Sequence, residues 1–258
     1  MSDAGAPHSY DLLWFEELDS TNSEARRLAE AGKPGPVWVA AGLQTAGRGR
    51  RGRAWDSPSG NLMCTLLIRP DCSPSKAAEL SFVAGLALHE AALSFMGPAH
   101  AESIRLKWPN DLLLNGKKAS GILLESATEG SGRVSWLAIG IGLNLATHPE
   151  GQEFPATSIA AQTGDAPAPK EALRVLAAAF GKWLQLWQEA QSFAPLRDAW
   201  LARAGGLEGT IRARLPEETV TGTFAGLDND GVLRLRLDDG SERAISAGDV
   251  FFGTGQDG

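Results

Sequence analysis

The sequence predicts an α+β protein: a mixed β-sheet with helices packed on it, followed by a small β-barrel or sandwich. Three observations on the 258-residue chain point there. Short apolar strand patterns are interleaved with helical ones through the first part, and a strand-rich run fills the middle. After Gly205-Gly206 only short alternating strands with tight turns remain. The expected division is a domain over residues 1–206 and a second over 207–258.

Residues 1–10 are small and polar and are expected to fray. Leu12-Leu13-Trp14-Phe15 reads as the first strand. Thr21 followed by Glu24 has the capping-box spacing, in which a hydroxyl accepts from a free backbone N–H and the carboxylate reaches back. Behind it Ala25, Leu28 and Ala29 line one face of a short helix, which Gly32 can close in a left-handed conformation. Val37–Ala41 is a short apolar strand leading into a glycine- and arginine-rich loop, and Leu62–Ile68 is the next strand. Pro74 at a first helical turn opens one long helix through Leu80, Val83, Ala84, Ala87, Leu88 and Ala91, ending before Gly97-Pro98.

Strands are predicted at 104–108, 112–114, 121–125 and 135–143, separated by polar turns such as Asn115-Gly116. Leu173, Leu176, Ala177, Phe180, Trp183, Leu184 and Trp187 then recur at helical spacing, and another helix covers 195–204. The final strands are expected at 210–215, Thr219–Leu227, 231–237 and Glu242–Ile245.

Composition narrows the function classes. A hydrophobic fraction of 43% and a charged fraction of 21% are ordinary for a globular protein. No basic-then-apolar N-terminal segment and no run of about 18 apolar residues is present, so neither a secretory signal nor a membrane span is expected, and the expected location is cytoplasmic. Cys64 and Cys72 are too few and too unfavourably spaced for a zinc site or a disulfide framework and read as reduced thiols. His8, His89, His100 and His148 are scattered, so no metal held by the protein is expected. A net charge of −7 argues against bulk nucleic-acid binding, which draws its affinity from neutralising phosphates.

The most informative segment is Gln44-Thr45-Ala46-Gly47-Arg48-Gly49-Arg50-Arg51-Gly52-Arg53-Ala54-Trp55. Gly47, Gly49 and Gly52 satisfy G-x-G-x-x-G after a strand. A Rossmann site needs a helix immediately afterwards, however, and Trp55-Asp56-Ser57-Pro58-Ser59-Gly60 is a turn. No Walker lysine closes a phosphate loop either. What remains is a loop with Arg48, Arg50, Arg51 and Arg53 on an acidic protein. Mutual repulsion should leave it mobile until a polyanion collapses it through paired guanidinium donors. Ordering about eight residues costs on the order of 8–16 kcal/mol of backbone entropy, so several charge-assisted contacts are needed. That suits a nucleotide or acyl-nucleotide. A solvated basic loop or an RNA-binding arginine-glycine segment is the alternative, although Trp55 alone supplies an aromatic platform.

Three further segments carry chemistry. Lys107-Trp108-Pro109-Asn110-Asp111 brings a lysine, an amide and a carboxylate to a strand end. Lys117-Lys118-Ala119-Ser120-Gly121-Ile122 offers an amine just before a strand whose glycine admits a ligand close to the backbone. Ala138-Ile139-Gly140-Ile141-Gly142-Leu143-Asn144 is an apolar strand with two glycines and a terminal amide. Each alone also fits a surface turn, a solvated amine or a sheet bulge.

Together with Asp19-Ser20-Thr21-Asn22, and in this order, these segments resemble the biotin–protein ligase family. The resemblance runs from about Leu12 to Phe252, and the arginine-glycine loop through Trp55 is its most specific part. It departs from many relatives at Ser59-Gly60-Asn61-Leu62, which is a residue shorter than their Gly-x-Asn-Leu run. The resemblance implies a class II synthetase-like catalytic domain followed by an SH3-like β-barrel. Some family members carry an N-terminal helix-turn-helix that represses biotin genes; this chain begins almost at the catalytic domain, so DNA binding is not expected.

The implied activity is ATP-dependent formation of biotinyl-5′-AMP and transfer of biotin to a lysine of a biotin carboxyl carrier domain. ATP and biotin are then substrates, and Mg²⁺ is held mainly by phosphates. Carried over by position, Ser20, Thr21, Gln44, Gly47, Arg48, Trp55, Lys118, Gly121 and Gly140 are implied around biotin. Arg50, Arg53, Trp55, Asn110, Lys118 and Asn144 are implied around the nucleotide. Lys118 and Arg48 would stabilise the transition state, and Asp111 would orient or deprotonate the acceptor amine. A monomer or weak homodimer is expected. The rivals are a lipoate or octanoate ligase or transferase of the same fold and a non-enzymatic RNA- or nucleotide-binding module. The second leaves the two lysine segments unexplained.

Overall fold

In the computed structural model, which describes residues 10–130 and 132–253, β1 (Asp11–Phe15) and β2 (Val37–Ala41) run parallel, because α1 (Thr21–Glu30) crosses between them. The expectation for the polar start falls outside these residues, apart from Tyr10. From β2 onward the main sheet is antiparallel. It takes in β3 (Leu62–Ile68), β7 (Val134–Leu143), β6 (Lys117–Thr128), β5 (Asp111–Leu114) and β4 (Ile104–Lys107), in the seven-stranded order β1-β2-β3-β7-β6-β5-β4. The mixed sheet is thus the predicted one.

Alternation along the strands sorts its two faces. Trp38 and Ala40 of β2, Leu62, Cys64 and Leu66 of β3, and Leu137, Ile139, Ile141 and Leu143 of β7 belong to the large core. Over that face lie α3 (Leu80–Met96) and α5 (Pro169–Glu189), with Phe180 of α5 edge-on to Trp38 at 5.8 Å. The opposite face is thinner. There Ala25 and Ala29 of α1 meet Val37, Val39, Leu67 and Ala138. Gly140 and Gly142 share this face with Ala138, and their lack of side chains lets Asn22 of α1 and Trp55 approach the strand backbone.

Helix ends follow the predicted chemistry with two revisions. Ser20, not Thr21, caps α1: its extended backbone lets its hydroxyl accept from Ser23 N–H, while Glu24 pairs with Arg27. Thr21 is drawn one position inward because its N–H and hydroxyl both bond to Gln44. At the other end Gly32 (φ 82°) closes the helix, with Lys33 N–H on Leu28 and Gly32 N–H on Ala29. The long helix opened by Pro74 is split at Glu79 into α2 (Pro74–Ala78) and α3; Glu79 stays in the right-handed region while its carboxylate receives Lys76 and Trp187. Pro74–Met96 is long and apolar enough to span a membrane, but it is a core element, with 67% of its most apolar stretch buried. The Asn115-Gly116 turn has both residues at positive φ (48° and 73°), as a two-residue hairpin between β5 and β6 requires.

Beyond α4 (Ile159–Thr163), α5 and α6 (Ala194–Leu201) comes the small SH3-like sheet. It comprises β8 (Thr210–Arg214), β9 (Thr219–Leu227), β10 (Leu233–Arg236), β11 (Glu242–Ile245) and β12 (Asp249–Phe252), in the five-stranded order β11-β10-β9-β8-β12. Neither α4 nor β12 stands out in the sequence, being short and lacking period. The small sheet is packed onto the first: Ile211, Phe224 and Val250 join the large core, and the Trp108 indole N–H donates to Gly231 O at 3.1 Å. β12 lies against the loop between β2 and β3, where Asp249 meets Arg51 and Arg53.

Candidate active site

A cavity of about 760 Å³ opens on the thin face of the main sheet, large enough for a drug-sized ligand. Its floor is a glycine pair, Gly121 and Gly142, directly opposite each other in β6 and β7. A Cβ on Gly142 would come 2.3 Å from Trp55 Nε1, and one on Gly121 would come 3.2 Å from Trp55 Cζ3. The indole therefore stands on the glycines, and the loop chain behind it is anchored where only glycine permits. Gly140, one pleat along, leaves room for Asn22, whose Oδ1 would lie 2.0 Å from an added Cβ. Gly47 plays the corresponding part in the loop itself, pressed against Trp55 O and Ser57 Oγ.

One end of the cavity is a neutral hydrogen-bonding corner. Gln44 Oε1 accepts from Thr21 N–H at 2.7 Å and from the Thr21 hydroxyl at 3.0 Å, and its amide donates to Ser57 Oγ at 2.8 Å. Thr65 Oγ1 lies 2.8 Å from Thr21 Oγ1 and 2.6 Å from Asn22 Oδ1. Ser20, Thr21 and Asn22 are all buried. Gln44 thus fixes the corner more than it offers itself to a ligand.

The other end is cationic. The arginine loop is folded back over the cavity, with Trp55 N–H on Gly47 O and Gly49 N–H on Arg53 O. Its guanidinium groups are not left to repel one another. Arg48 pairs with Glu125 of β6 at 3.0 Å, and the same carboxylate oxygen receives Asn22 Nδ2 at 2.7 Å. Arg50 turns inward and donates to Asn110 Oδ1 at 3.1 Å, while burial pulls its pKa below the ordinary value. Arg53 and Arg51 both reach Asp249 of β12, at 2.5 and 3.4 Å, and Arg214 of β8 joins them while also holding Glu153. Carboxylates from β6 and β12 stand opposite the loop and offset part of its like-charge repulsion.

Between these ends lies a lysine–aspartate–lysine cluster. Lys107 Nζ is 2.9 Å from Asp111 Oδ2, and Lys118 Nζ is 2.6 Å from Asp111 Oδ1. Lys118 lies inside β6 and not before it, at the bulge where the register with β5 shifts. Burial of Asp111 opposes its ionisation, yet the charges of Lys107 and Lys118 outweigh it and hold the carboxyl below the usual range. Such a carboxylate, engaged on both oxygens, orients amines better than it removes protons. Asn110 Nδ2 donates to Ile122 O, and Asn144, buried at the end of β7, donates to Thr157 O.

Every residue singled out in the sequence for the site lines this one cavity. Sequence reasoning did not single out Asn22, Ser57, Thr65, Lys107, Glu125, Phe154, Arg214 or Asp249 as site residues. Asn22 and Lys107 stood inside quoted motifs and could have been found. Glu125, Arg214 and Asp249 carried no local signal. The short run after the loop also gains a purpose: Asn61 Oδ1 accepts from the backbone N–H groups of Leu145, Ala146 and Thr147, tying it to the end of β7.

Residues 14–144 match the biotin/lipoate A/B protein ligase family, and residues 207–253 match the biotin protein ligase C-terminal domain. The chain belongs to the biotin/lipoate A/B protein ligase family. Its relatives place it on the biotin side of that family. It is 48% identical over 240 residues to a biotin–[acetyl-CoA-carboxylase] ligase of Paracoccus denitrificans, covering 91% of this chain and 98% of the relative. It is 34% identical to the bifunctional ligase/repressor of Bacillus subtilis (strain 168), covering 92% of this chain and 72% of that protein. The fold is also similar to the Aquifex aeolicus biotin protein ligase solved with biotin and ATP, with a TM-score of 0.78, 28% identity, and coverage of 94% of this chain and 99% of that one.

Proposed function

We propose that this chain is an ATP-dependent biotin–protein ligase, which forms biotinyl-5′-AMP and passes biotin to a lysine of a carboxylase carrier domain. The observation that carries this reading is the single cavity in which a neutral hydrogen-bonding corner, a glycine floor and a cationic end follow one another. A ureido ring, an aliphatic tail and an acyl phosphate present the same sequence of chemistry.

In the first half-reaction the biotin carboxylate attacks the α-phosphorus of ATP and pyrophosphate leaves. Ser20, Thr21 and the Gln44 corner hold the ring, with Gly121 and Gly140 giving Trp55 and Asn22 room to line the pocket close to the strands and Trp55 walling the tail. Lys118 and Arg48 neutralise the charge that gathers at the α-phosphate. Arg50, Arg53, Asn110 and Asn144 serve the nucleotide. Mg²⁺ bound with the triphosphate would supply neutralisation of phosphate charge, and the lysines, arginines and amides of the cavity would contact the phosphates and not the ion. The loop around Gly47 shields the mixed anhydride from water. In the second half-reaction the carrier amine attacks the acyl carbon and AMP leaves, with Asp111 orienting the amine.

We take Gly205-Gly206 as the junction of a catalytic domain with a C-terminal one whose Asp249 clasps the loop. The reading places the enzyme in the cytoplasm, where ATP is abundant, as a monomer or weak homodimer. Incubation with radiolabelled biotin, ATP and a biotin carboxyl carrier domain should label the carrier, whereas labelled lipoate should not. Labelling by lipoate in preference to biotin would overturn the assignment.

A further inference from the structure

Asp111 is held between two lysines that differ in what else surrounds them. Lys107 is its register partner across the β4–β5 hairpin and has only 8% of its side chain exposed. Its ammonium lies 4.0 Å from the centre of the Phe154 ring, and that ring stands 6.5 Å from Phe251 of β12. Lys118 is 28% exposed and projects from the β6 bulge toward Trp55 of the loop, 5.5 Å from its ring. Both line the cavity, but Lys107 is walled in by a carboxylate and an aromatic face, whereas Lys118 is the more exposed of the two. The further charge coupled to Asp111 is Arg50 of the loop.

The unequal settings divide the work. Lys118 has three N–H donors on a flexible stem and can turn toward a phosphate oxygen. Whatever it gives to the phosphate weakens its hold on Asp111. A buried carboxylate that loses its counter-ion takes up a proton instead. We propose that Lys107 is the standing counter-ion of Asp111, a positioning residue that keeps this carboxylate charged while Lys118 serves the substrate. The inference rests on the adenylate-forming reading above. Lys107 acts through Asp111 and does not touch the reacting atoms.

Four variants of the full chain test it: Lys107→Met, Lys107→Arg, Asp111→Asn, and the double variant Lys107→Met with Asp111→Asn. Transfer of biotin from preformed biotinyl-5′-AMP to the carrier domain, the step that Asp111 serves, is followed from about pH 4 to about 9, and melting temperatures are followed down to about pH 3. Lys107→Met should slow transfer about tenfold at neutral pH and move its acid limb up by about one unit or more, and Lys107→Arg should restore both. The double variant should be no slower than Asp111→Asn alone. Lys107→Met should be less stable at neutral pH but lose less of its stability than the unaltered protein on acidification below about pH 4, because its Asp111 lies nearer the unfolded carboxyl, and the double variant should lack this contribution altogether. Additive losses in the double variant would overturn the proposal, since Lys107 would then be acting on the substrate directly. An unmoved acid limb with an unmoved melting profile would overturn it as well, leaving Lys107 a packing residue. An unaltered protein that forms no adenylate from biotin and ATP would sink the ligase reading instead, and the melting profiles would still decide the role of Lys107.

Discussion

Substituting Gly142 by alanine attacks the seat of the arginine loop without touching a charged group. The added Cβ would come 2.3 Å from Trp55 Nε1, 2.5 Å from Cε2 and 2.9 Å from Cζ2, all on a rigid ring. Restoring ordinary contact means moving the indole by about 1 Å or more, since carbon atoms rest roughly 3.5–4 Å apart. The strand cannot yield, because Gly142 is paired with Met63 of β3 on one side and Gly121 of β6 on the other. The indole must therefore move outward, carrying residues 47–55 with it. Overpacking of this size costs about 1–3 kcal/mol. A misplacement of about 1 Å in a group that positions the reactants costs on the order of a hundredfold in rate. Gly142→Ala should thus cut biotin-dependent pyrophosphate release about 10- to 100-fold, with a modest drop in melting temperature. Both are measured on the same preparation by coupled phosphate assay and thermal scan. A variant with adenylation within about twofold of the unaltered protein would refute the seating of Trp55 on the glycine pair.

Other outcomes follow from the same geometry. Lys118→Ala removes one of the cations that line the cavity and should lower adenylate synthesis by about a hundredfold or more; unchanged pyrophosphate release would remove Lys118 from the mechanism. Cleavage after Arg50 or Arg51 by a trypsin-like protease should slow sharply when biotin and MgATP are both added, and equal rates with and without them would exclude closure of the loop over the adenylate. Burial, assisted by Arg203, pushes His89 down to about 4, so between about pH 6.5 and that value the unfolded chain binds a proton that the folded one does not. Stability should accordingly fall as pH drops through this window, by on the order of 2 kcal/mol at about pH 5. His89→Gln should flatten that part of the melting-temperature profile, and an unchanged slope would place the acid sensitivity elsewhere.

Much of the site could be read along the chain because its chemistry is local. The loop motif, the Lys107-to-Asp111 segment and the glycines of β7 lie in short runs whose periods also place them at strand ends or on one face. The elements that escaped prediction are those whose reasons are not local. Thr21 reads as a cap until Gln44, 23 positions away, takes both its donors. The helix after Pro74 reads as continuous until the Trp187 indole N–H donates to the Glu79 carboxylate from α5, 108 positions away.

The sequence by itself determined an α+β chain, the positions of most strands, and a family resemblance anchored on an arginine-rich loop, two lysine segments and a glycine-bearing strand. These are matters of spacing, which side-chain periodicity converts directly into shared faces. Only the tertiary structure decided what the arginines rest against. Sheet order brings Glu125 of β6 to Arg48, and docking of the small sheet brings Asp249 to Arg51 and Arg53, 198 and 196 positions away. Pairing between residues so far apart depends on which strands become neighbours, and no local pattern of residues encodes that.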